Sequence, residues 1–317
     1  MPFFSNSELA ARREEARRRR RRRGLIEAAV AIAVGVAAAA GVAIAASGGS
    51  GGPKPHPAAG LTRASPPQRP AKPAPSSPFA AIDAAGRAEI ARLAQYGLPV
   101  YCGGPHGNEV AFTFDDGPGV YTHFAVKKLT QAGERATFFE VGKSMDAWPG
   151  WLPKELKVAA FGDHTYHHPL LTALSPDAVR SELESTKQKI ESDSGEPVDL
   201  FRPPYGGRNA TVDGIAKSLG LLEIMWTQDS RDSLDADWLG IIHNVEGALR
   251  PGAIILMHEN HGQTIRALTT LLPELRRRHL RSVSLPELFA TDPPTLAQLR
   301  RGPDGCGITA PAVGSGS

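Results

Sequence analysis

The feature that most restricts the fold of this chain begins near residue 108, where short apolar runs alternate with amphipathic stretches. Nearly continuous apolar runs of about four to eight residues are typical of strands buried on both faces. Strand followed by helix, repeated about seven times, predicts an α/β fold with a parallel sheet. The runs are VAFTF (110–114), ATFFEVG (136–142), VAAFG (158–162), VDLF (198–201), LLEIMW (221–226), AIILM (253–257) and RSVSL (281–285).

Two of the intervening stretches carry clear helix signals. Residues 178–192 place apolar side chains at positions 179, 183 and 190, on one helical face. In residues 209–220, Asn209 is expected to cap a helix and Gly220 to end it. The chain of 317 residues has room for one α/β barrel of about 200–250 residues.

The positive charge of the chain is confined to its N-terminus. Residues 1–24 hold nine Arg and three Glu, so they contribute +6 to the formal net charge of +3, and the remaining residues carry −3. The globular part is therefore mildly acidic, which argues against nucleic acid as a partner.

An apolar stretch follows the arginines. Residues 28–46 run nineteen positions without a charge, about 28 Å as a helix, which is close to one hydrocarbon thickness. The apolar stretch and the arginines before it together predict a cytoplasmic segment at 1–24 and a transmembrane helix or signal anchor at 25–46. The rest of the chain is then expected to be exported across a bacterial cell membrane. Ala-x-Ala at 43–45 leaves signal-peptidase cleavage and secretion open.

The segments that flank the predicted sheet have simpler compositions. We expect a disordered Pro/Gly/Ser-rich linker at 47–78, a helical lead-in at 79–107 and an irregular C-terminal tail at 293–317. Cys102 and Cys306 lie on either side of the predicted domain, and in an exported chain a disulfide would join its two ends. Two unpaired thiols remain the alternative, because sequence does not give the distance between them.

Polar clusters follow five of the predicted strands. Barrel and open α/β folds build their sites at the carboxyl ends of the strands, and a closed barrel would bring all five clusters to one mouth. The clusters are DDGP (115–118), DHTYHHP (163–169), RPPYGG (202–207), TQDSRD (227–232) and HEN (258–260).

His164 and His168 indicate a metal site. Histidines four residues apart can project from one helical turn and bind a divalent metal. A carboxylate beside two imidazoles leaves positions open for water and substrate, as in hydrolytic sites, and such a set accepts zinc, cobalt or nickel. Asp115 and Asp116 supply two carboxylates that point to opposite sides of an extended chain, so one can bind metal while the other faces the reacting water.

Five motifs occur in the order and approximate spacing of the polysaccharide deacetylases, carbohydrate esterase family 4, also called the NodB-homology domain. They are TFDDGP (113–118), HTYHHP (164–169), RPPY (202–205), DSRD (229–232) and LMH (256–258). Residues 108–292 thus resemble the catalytic domain of this family, above all its exported bacterial members that act on peptidoglycan or chitin-type sugars. The resemblance implies a distorted (β/α) barrel of about seven strands and one divalent metal, most often zinc.

The resemblance also implies the catalytic roles. Asp115 matches the catalytic base of the family, and His258 matches the general acid. Asp116, His164 and His168 match its metal ligands.

Further residues match supporting positions of the family. Arg202 matches the arginine that orients the base, and it is expected to pair with Asp229 or Asp232. The backbone N–H of Tyr205 would bind the oxyanion, and Leu256 would line the acetyl pocket.

The chain departs from the family pattern at Ser233, where a tryptophan often follows the second aspartate. The wall of the acetyl pocket is then incomplete unless Trp226 or Trp238 replaces that indole.

Together these features predict a metal-dependent hydrolase that removes N-acetyl groups from peptidoglycan or chitin-type oligomers, with a monomeric catalytic domain. Two alternatives stay open: an O-acetyl esterase acting on xylan or wall polymer, which would keep every residue named, and a wall-carbohydrate-binding protein without turnover.

Overall fold

The computed structural model describes residues 79–307. The predicted segments 1–24, 25–46 and 47–78 lie outside these residues, as does the end of the tail at 308–317. Between residues 79 and 307, no helix is both long enough and apolar enough to cross a membrane.

A parallel sheet forms the centre of the fold, and it curls into a half-barrel. Seven strands follow one another in the order β5-β4-β3-β2-β1-β7-β6, and β8 pairs with the start of β1. This confirms the predicted α/β class and agrees with a distorted barrel. The strands are β1 (Glu109–Gly117), β2 (Ala136–Glu140), β3 (Ala159–Asp163), β4 (Leu200–Phe201), β5 (Leu222–Glu223), β6 (Gln228–Asp229), β7 (Ile254–His258) and β8 (Arg281–Ser282).

Helices connect most of the strands, and short 3-10 turns lie at 171–173, 204–206, 232–234 and 302–306. The helices are α1 (Ala80–Ala94), α2 (Thr122–Ala132), α3 (Gly142–Ala147), α4 (Leu152–Glu155), α5 (Pro176–Ser194), α6 (Ala210–Ser218), α7 (Trp238–Glu246), α8 (Gly262–Arg277), α9 (Leu285–Thr291) and α10 (Leu296–Arg301).

Helix α6 begins as its sequence predicts. The Asn209 side-chain oxygen accepts hydrogen bonds from the backbone N–H groups of Thr211 and Val212, both at 3.0 Å. The helix ends at Ser218, two residues before Gly220, whose φ of 72° places it in the left-handed region that glycine favours.

Side chains on the two faces of the sheet enter different apolar clusters. Along β1, Val110, Phe112 and Phe114 face the larger cluster, beneath the outer helices, whereas Ala111 faces the smaller one. This alternation follows from the two-residue period of a strand. Both faces of the strand are therefore buried, as its continuous apolar sequence predicts.

The lead-in helix α1 packs into the smaller cluster through Ile90 and Leu93, which contact the same core as Leu288 of α9. The two helices approach so closely at Gly86 that a side-chain carbon there would lie 1.9 Å from the Pro286 carbonyl oxygen. Glycine is needed at this position because of that approach.

A disulfide joins Cys102 to Cys306, with the two Cα atoms 5.9 Å apart. The expectation of an irregular tail after residue 293 is wrong for residues 296–306, which form α10 and a 3-10 turn. A capping box starts α10: Thr295 accepts from the Gln298 backbone, and the Gln298 side chain accepts from Thr295.

Candidate active site

Asp115 and Asp116 lie near the end of strand β1, and both line the same cleft. The expectation that they point to opposite sides is wrong, because the chain is not regularly extended here. Asp116 has a φ of 75°, and the pairing register with β2 shifts between Asp115 and Gly117. This bulge turns the second carboxylate toward the first.

The loop after β3 holds the two histidines. The expectation of a helical turn is wrong: residues 164–169 form a bent loop, in which Thr165 has a φ of 68° and His168 a φ of 59°. The Asp163 carboxylate accepts the Thr165 N–H at 2.7 Å, and the Thr165 hydroxyl accepts the His168 N–H at 3.0 Å. His167 instead turns outward, where its Nδ1 lies 2.8 Å from Glu182 Oε1.

Asp116, His164 and His168 form a candidate metal-binding set. One donor atom from each lies within 4.8 Å of the others. Asp116 Oδ1 lies 3.6 Å from His164 Nε2 and 3.2 Å from His168 Nε2.

The contacts around this set fit a cation. Asp116 Oδ1 is buried and has no hydrogen-bond partner among the residues described. His164 Nδ1 donates to the Arg202 carbonyl oxygen at 2.8 Å, and His168 Nδ1 lies 3.2 Å from the Tyr205 hydroxyl. Both Nε2 atoms therefore face Asp116, in the arrangement that metal-bound histidines usually show.

The protonation states also suit metal binding, which requires an ionised carboxylate and neutral imidazoles. Burial alone would raise the pKa of Asp116, but the close approach of His168 Nε2 and the nearby positive charge of His258 hold it well below its usual range. Burial lowers the pKa of His164, which favours the neutral ring.

Asp115 is held by a fully buried arginine. Arg202 Nη1 donates to Asp115 Oδ1 at 2.8 Å and to the Thr113 hydroxyl at 2.8 Å. The other carboxylate oxygen, Asp115 Oδ2, lies 3.7 Å from His164 Nε2. The remaining guanidinium donors reach the carbonyl oxygens of Ile224 and Met225, both at 3.2 Å.

His258 is paired with Asp232. Its ring Nδ1 donates to Asp232 Oδ1 at 2.7 Å, and its backbone N–H donates to Asp232 Oδ2 at 2.7 Å. The Thr264 hydroxyl also donates to that second oxygen, at 2.5 Å. Burial opposes protonation of His258, but the hydrogen bond and negative charge of Asp232 outweigh it and raise the pKa of His258 to about 9.

The predicted pairing of Arg202 with Asp229 or Asp232 is therefore wrong. Arg202 lies inside the barrel beneath Asp115, whereas Asp232 lies in the turn after β6, next to the end of β7. Asp229 lines the cleft and accepts the Arg231 N–H at 2.7 Å.

These groups surround a cleft of about 400 Å³. Leu256 and Trp226 line it, together with Ser233 and the following Leu234. Trp238 is absent from the lining and stacks against Arg266, with the guanidinium carbon 4.2 Å from the ring centroid. Of these two tryptophans, Trp226 is therefore the one that lines the cleft together with Ser233.

Tyr205 stands at the rim of the cleft. It has a φ of 60° and its side chain is 72% exposed. Its ring centroid lies 4.8 Å from that of His168.

Several supporting residues were not predicted, and Thr113 and Asn260 are two of them. Thr113 fixes Arg202, and the Asn260 side chain donates to the Asp116 carbonyl oxygen at 2.5 Å. Both lie within or next to the quoted motifs, but their partners are distant in sequence, so only the strand order reveals these contacts.

Comparison with known proteins agrees with the motifs. Residues 103–224 match the sequence pattern described as polysaccharide deacetylase. The chain is 32% identical over 200 residues to a peptidoglycan-N-acetylglucosamine deacetylase of Bacillus cereus, a match that covers 59% of this chain and 71% of that protein. It is 34% identical over 173 residues to a bifunctional xylanase/xylan deacetylase of Cellvibrio japonicus, covering 54% of this chain but 26% of that protein.

A solved structure is similar as well. The family 4 carbohydrate esterase from Streptomyces lividans, determined in complex with acetate, superposes with a TM-score of 0.53 at 34% identity. That match covers 57% of this chain and 92% of the other. Since the chain also spans most of the Bacillus relative, it belongs to the polysaccharide deacetylase family, as its five motifs predicted, and is an enzyme of that family.

Proposed function

We propose that this chain removes N-acetyl groups from cell-wall polysaccharide by hydrolysis, with the help of one divalent cation. The observation that carries the proposal is that one cleft contains both an Arg202-bound carboxylate and a histidine that Asp232 keeps protonated. A base and an acid in one site are what hydrolysis of an amide requires. Family membership and the named deacetylase relatives support the same reaction.

An acetamide resists hydrolysis because its carbonyl is a poor electrophile and its amine a poor leaving group. Asp116, His164 and His168 would hold the cation, for which zinc suits a carboxylate and two imidazoles. When bound, such an ion supplies Lewis-acid polarisation of the carbonyl group.

Asp115 acts on the attacking water. Its Oδ1 is occupied by Arg202, so Oδ2 is the atom free to take the proton. Arg202 has no exposed surface and donates to three other oxygen atoms, so it fixes the direction of Asp115 rather than contacting substrate.

His258 acts on the leaving group. With Nδ1 bonded to Asp232, its Nε2–H is left to donate a proton to the sugar nitrogen. The amine then departs neutral, which is the difficult part of cleaving an amide. The backbone N–H of Tyr205, at the rim of the same cleft, would donate to the oxyanion.

Peptidoglycan is the proposed substrate class. The Bacillus cereus relative is named for N-acetylglucosamine of peptidoglycan. A chain exported and held near the membrane would meet wall polymer first, and we propose this location from the Arg-rich segment, the apolar stretch and the linker. The Cys102–Cys306 disulfide agrees with an oxidising compartment.

An O-acetyl esterase is the second candidate. The relative from Cellvibrio japonicus is named a xylan deacetylase. The same base and cation set would cleave an ester, although an alkoxide leaves with less need for the acid at His258.

Acetate release by the purified chain tests the proposal. Peptidoglycan, chitin oligomers and acetylated xylan would each be compared with and without a chelator, and then with zinc restored. We expect chelator-sensitive release from an N-acetylated glycan. If the metal-loaded protein releases acetate only from xylan, the esterase replaces our proposal, and if it releases none from any substrate, the chain is a binding protein.

A further inference from the structure

A second group of acidic side chains lies outside the cleft, and it is completely buried. Glu140, Glu155 and Glu259 each have 0% exposure. Glu140 ends strand β2, Glu155 ends helix α4, and Glu259 follows β7 directly after His258. One carboxylate oxygen from each lies within 4.8 Å of the others.

Most of these oxygens have no partner within residues 79–307. In the part of the chain that the structure describes, both carboxylate oxygens of Glu140, both of Glu155 and Oε1 of Glu259 accept no hydrogen bond from an N–H or hydroxyl group. Glu259 Oε2 accepts a hydrogen bond from the Thr122 hydroxyl. Each buried, uncompensated carboxylate costs several kcal/mol, and like charges this close repel one another, so an ionised cluster needs a positive charge among its oxygens.

The backbone makes room for this cluster. A side-chain carbon at Gly117 would lie 1.3 Å from Glu259 Oε1 and 2.8 Å from Glu140 Oε2. The carboxylates therefore occupy space that any other residue at position 117 would fill. Three separate segments thus direct unpaired oxygens into one enclosed volume.

We propose that Glu140, Glu155 and Glu259 form a second cation site, distinct from the Asp116, His164 and His168 set, and that it holds calcium. The donors are all oxygen atoms, which select a hard cation rather than zinc. Calcium binds oxygens at about 2.3–2.6 Å, so the ligands of one ion lie within about 5 Å of one another, as these do. Magnesium usually keeps several waters, which a fully enclosed site disfavours.

The site lies directly beneath the catalytic residues. The Glu140 carbonyl oxygen accepts the His164 N–H at 3.0 Å, and the Glu259 N–H donates to the Asp115 carbonyl oxygen at 3.2 Å. A cation bound to these glutamates links the ends of β2 and β7 on either side of β1. It therefore has a structural and positioning role, without contact to substrate.

The competing state is a protonated cluster. Without a cation, burial raises the pKa of Glu155 to about 7 and raises the pKa values of Glu140 and Glu259 well above the usual range. If the cluster holds protons instead of a metal, glutamine substitution should leave the metal content unchanged and should not weaken the fold.

Elemental analysis of the full-length chain separates these states. We would purify the Asp116→Ala variant, which lacks a ligand of the first site, supply millimolar calcium, and remove unbound ions by dialysis. We expect about one calcium per chain, and an increase in Tm with added calcium. The bound calcium and the increase in Tm should both be lost when Glu155→Gln is combined with Asp116→Ala. Combining Glu184→Gln, on the exposed face of α5, with Asp116→Ala is the matched control and should retain both.

A calcium content near zero in Asp116→Ala, or one that survives Glu155→Gln, overturns the proposal. If the Glu155→Gln protein does not fold, Glu140→Gln makes the same test. The readout is bound calcium, so it is independent of acetate release and remains informative if the proposed function is wrong.

Discussion

Replacing Asp232 by asparagine should move the pH dependence of the enzyme. Asp232 receives the ring Nδ1–H of His258 at 2.7 Å and is the main source of the raised pKa of that histidine. Asparagine keeps the size of the side chain but removes its charge. The protonated ring of His258 then loses its counter-ion, and its pKa should fall toward the ordinary value of 6.5.

The magnitude follows from the two pKa values. The rise from 6.5 to about 9 corresponds to about 3 kcal/mol in favour of the protonated ring. At pH 8 a histidine with the higher pKa is about nine-tenths protonated, whereas one with the lower pKa is about 3% protonated. If His258 is the general acid, kcat at pH 8 should fall roughly 30-fold, and most of the loss should disappear below about pH 6.

The assay is kcat for acetate release between pH 5 and pH 10. In the unmodified enzyme, activity should decline as the pH rises through about 9, because the proton on His258 is lost there. In Asp232→Asn that decline should begin near 6.5. Asp229→Asn is the matched control, since Asp229 lines the same cleft but leaves the contact between Asp232 and His258 intact.

If kcat of the Asp232→Asn enzyme still declines only near pH 9, this reasoning is refuted. Titration of the His258 ring by NMR would then show which step is wrong. An unchanged pKa means that Asp232 does not set it, and a lowered pKa with unchanged kinetics means that His258 is not the acid.

Three further predictions concern other parts of the structure. Asp115→Asn should abolish turnover but keep the metal of the cleft, whereas Asp116→Ala should lose both turnover and metal. Equal metal loss in the two variants, measured by elemental analysis, would contradict the division of roles between the two carboxylates. Cys102→Ser should lower the free energy of unfolding by about 2–5 kcal/mol, measured in guanidinium without reductant, because the bridge joins residues 204 positions apart. It should leave kcat unchanged, because neither cysteine lines the cleft. Trp226→Ala should raise KM for acetylated substrate by removing part of the cleft wall, and a Trp238→Ala enzyme should not share this change.

The strands that could be predicted are those with an apolar signal. β1 and β7 lie where VAFTF and AIILM predict them, because both faces are buried. β6 was not predicted, since Gln228 and Asp229 are polar and pair with β7 through their backbones alone. Apolar periodicity reports burial of side chains, so a short polar strand gives no such signal.

The residues of the candidate site were predictable, but their pairing was not. Asp115 lies opposite His258 because β1 is the neighbour of β7, and this order cannot be read from positions 143 residues apart. The same strand order places Arg202 beneath Asp115, where the two form an ion pair, and it places Asp232 next to His258. Spacing along the chain identifies the chemical groups, whereas strand order decides which groups meet.

The backbone at the candidate metal set explains why the helical expectation failed. Asp116, Thr165 and His168 all have a positive φ between 59° and 75°, a conformation that costs non-glycine residues about 1–3 kcal/mol each. Such residues persist only where their surroundings fix them, and here Asp163 and Asn260 do so by bonding the Thr165 N–H and the Asp116 carbonyl oxygen. Histidines on a helical turn would take their direction from the helix axis. Here the direction comes instead from Asp163 and Asn260, which lie outside the candidate metal-binding set and fix the backbone around its members, so both residues belong to the candidate site.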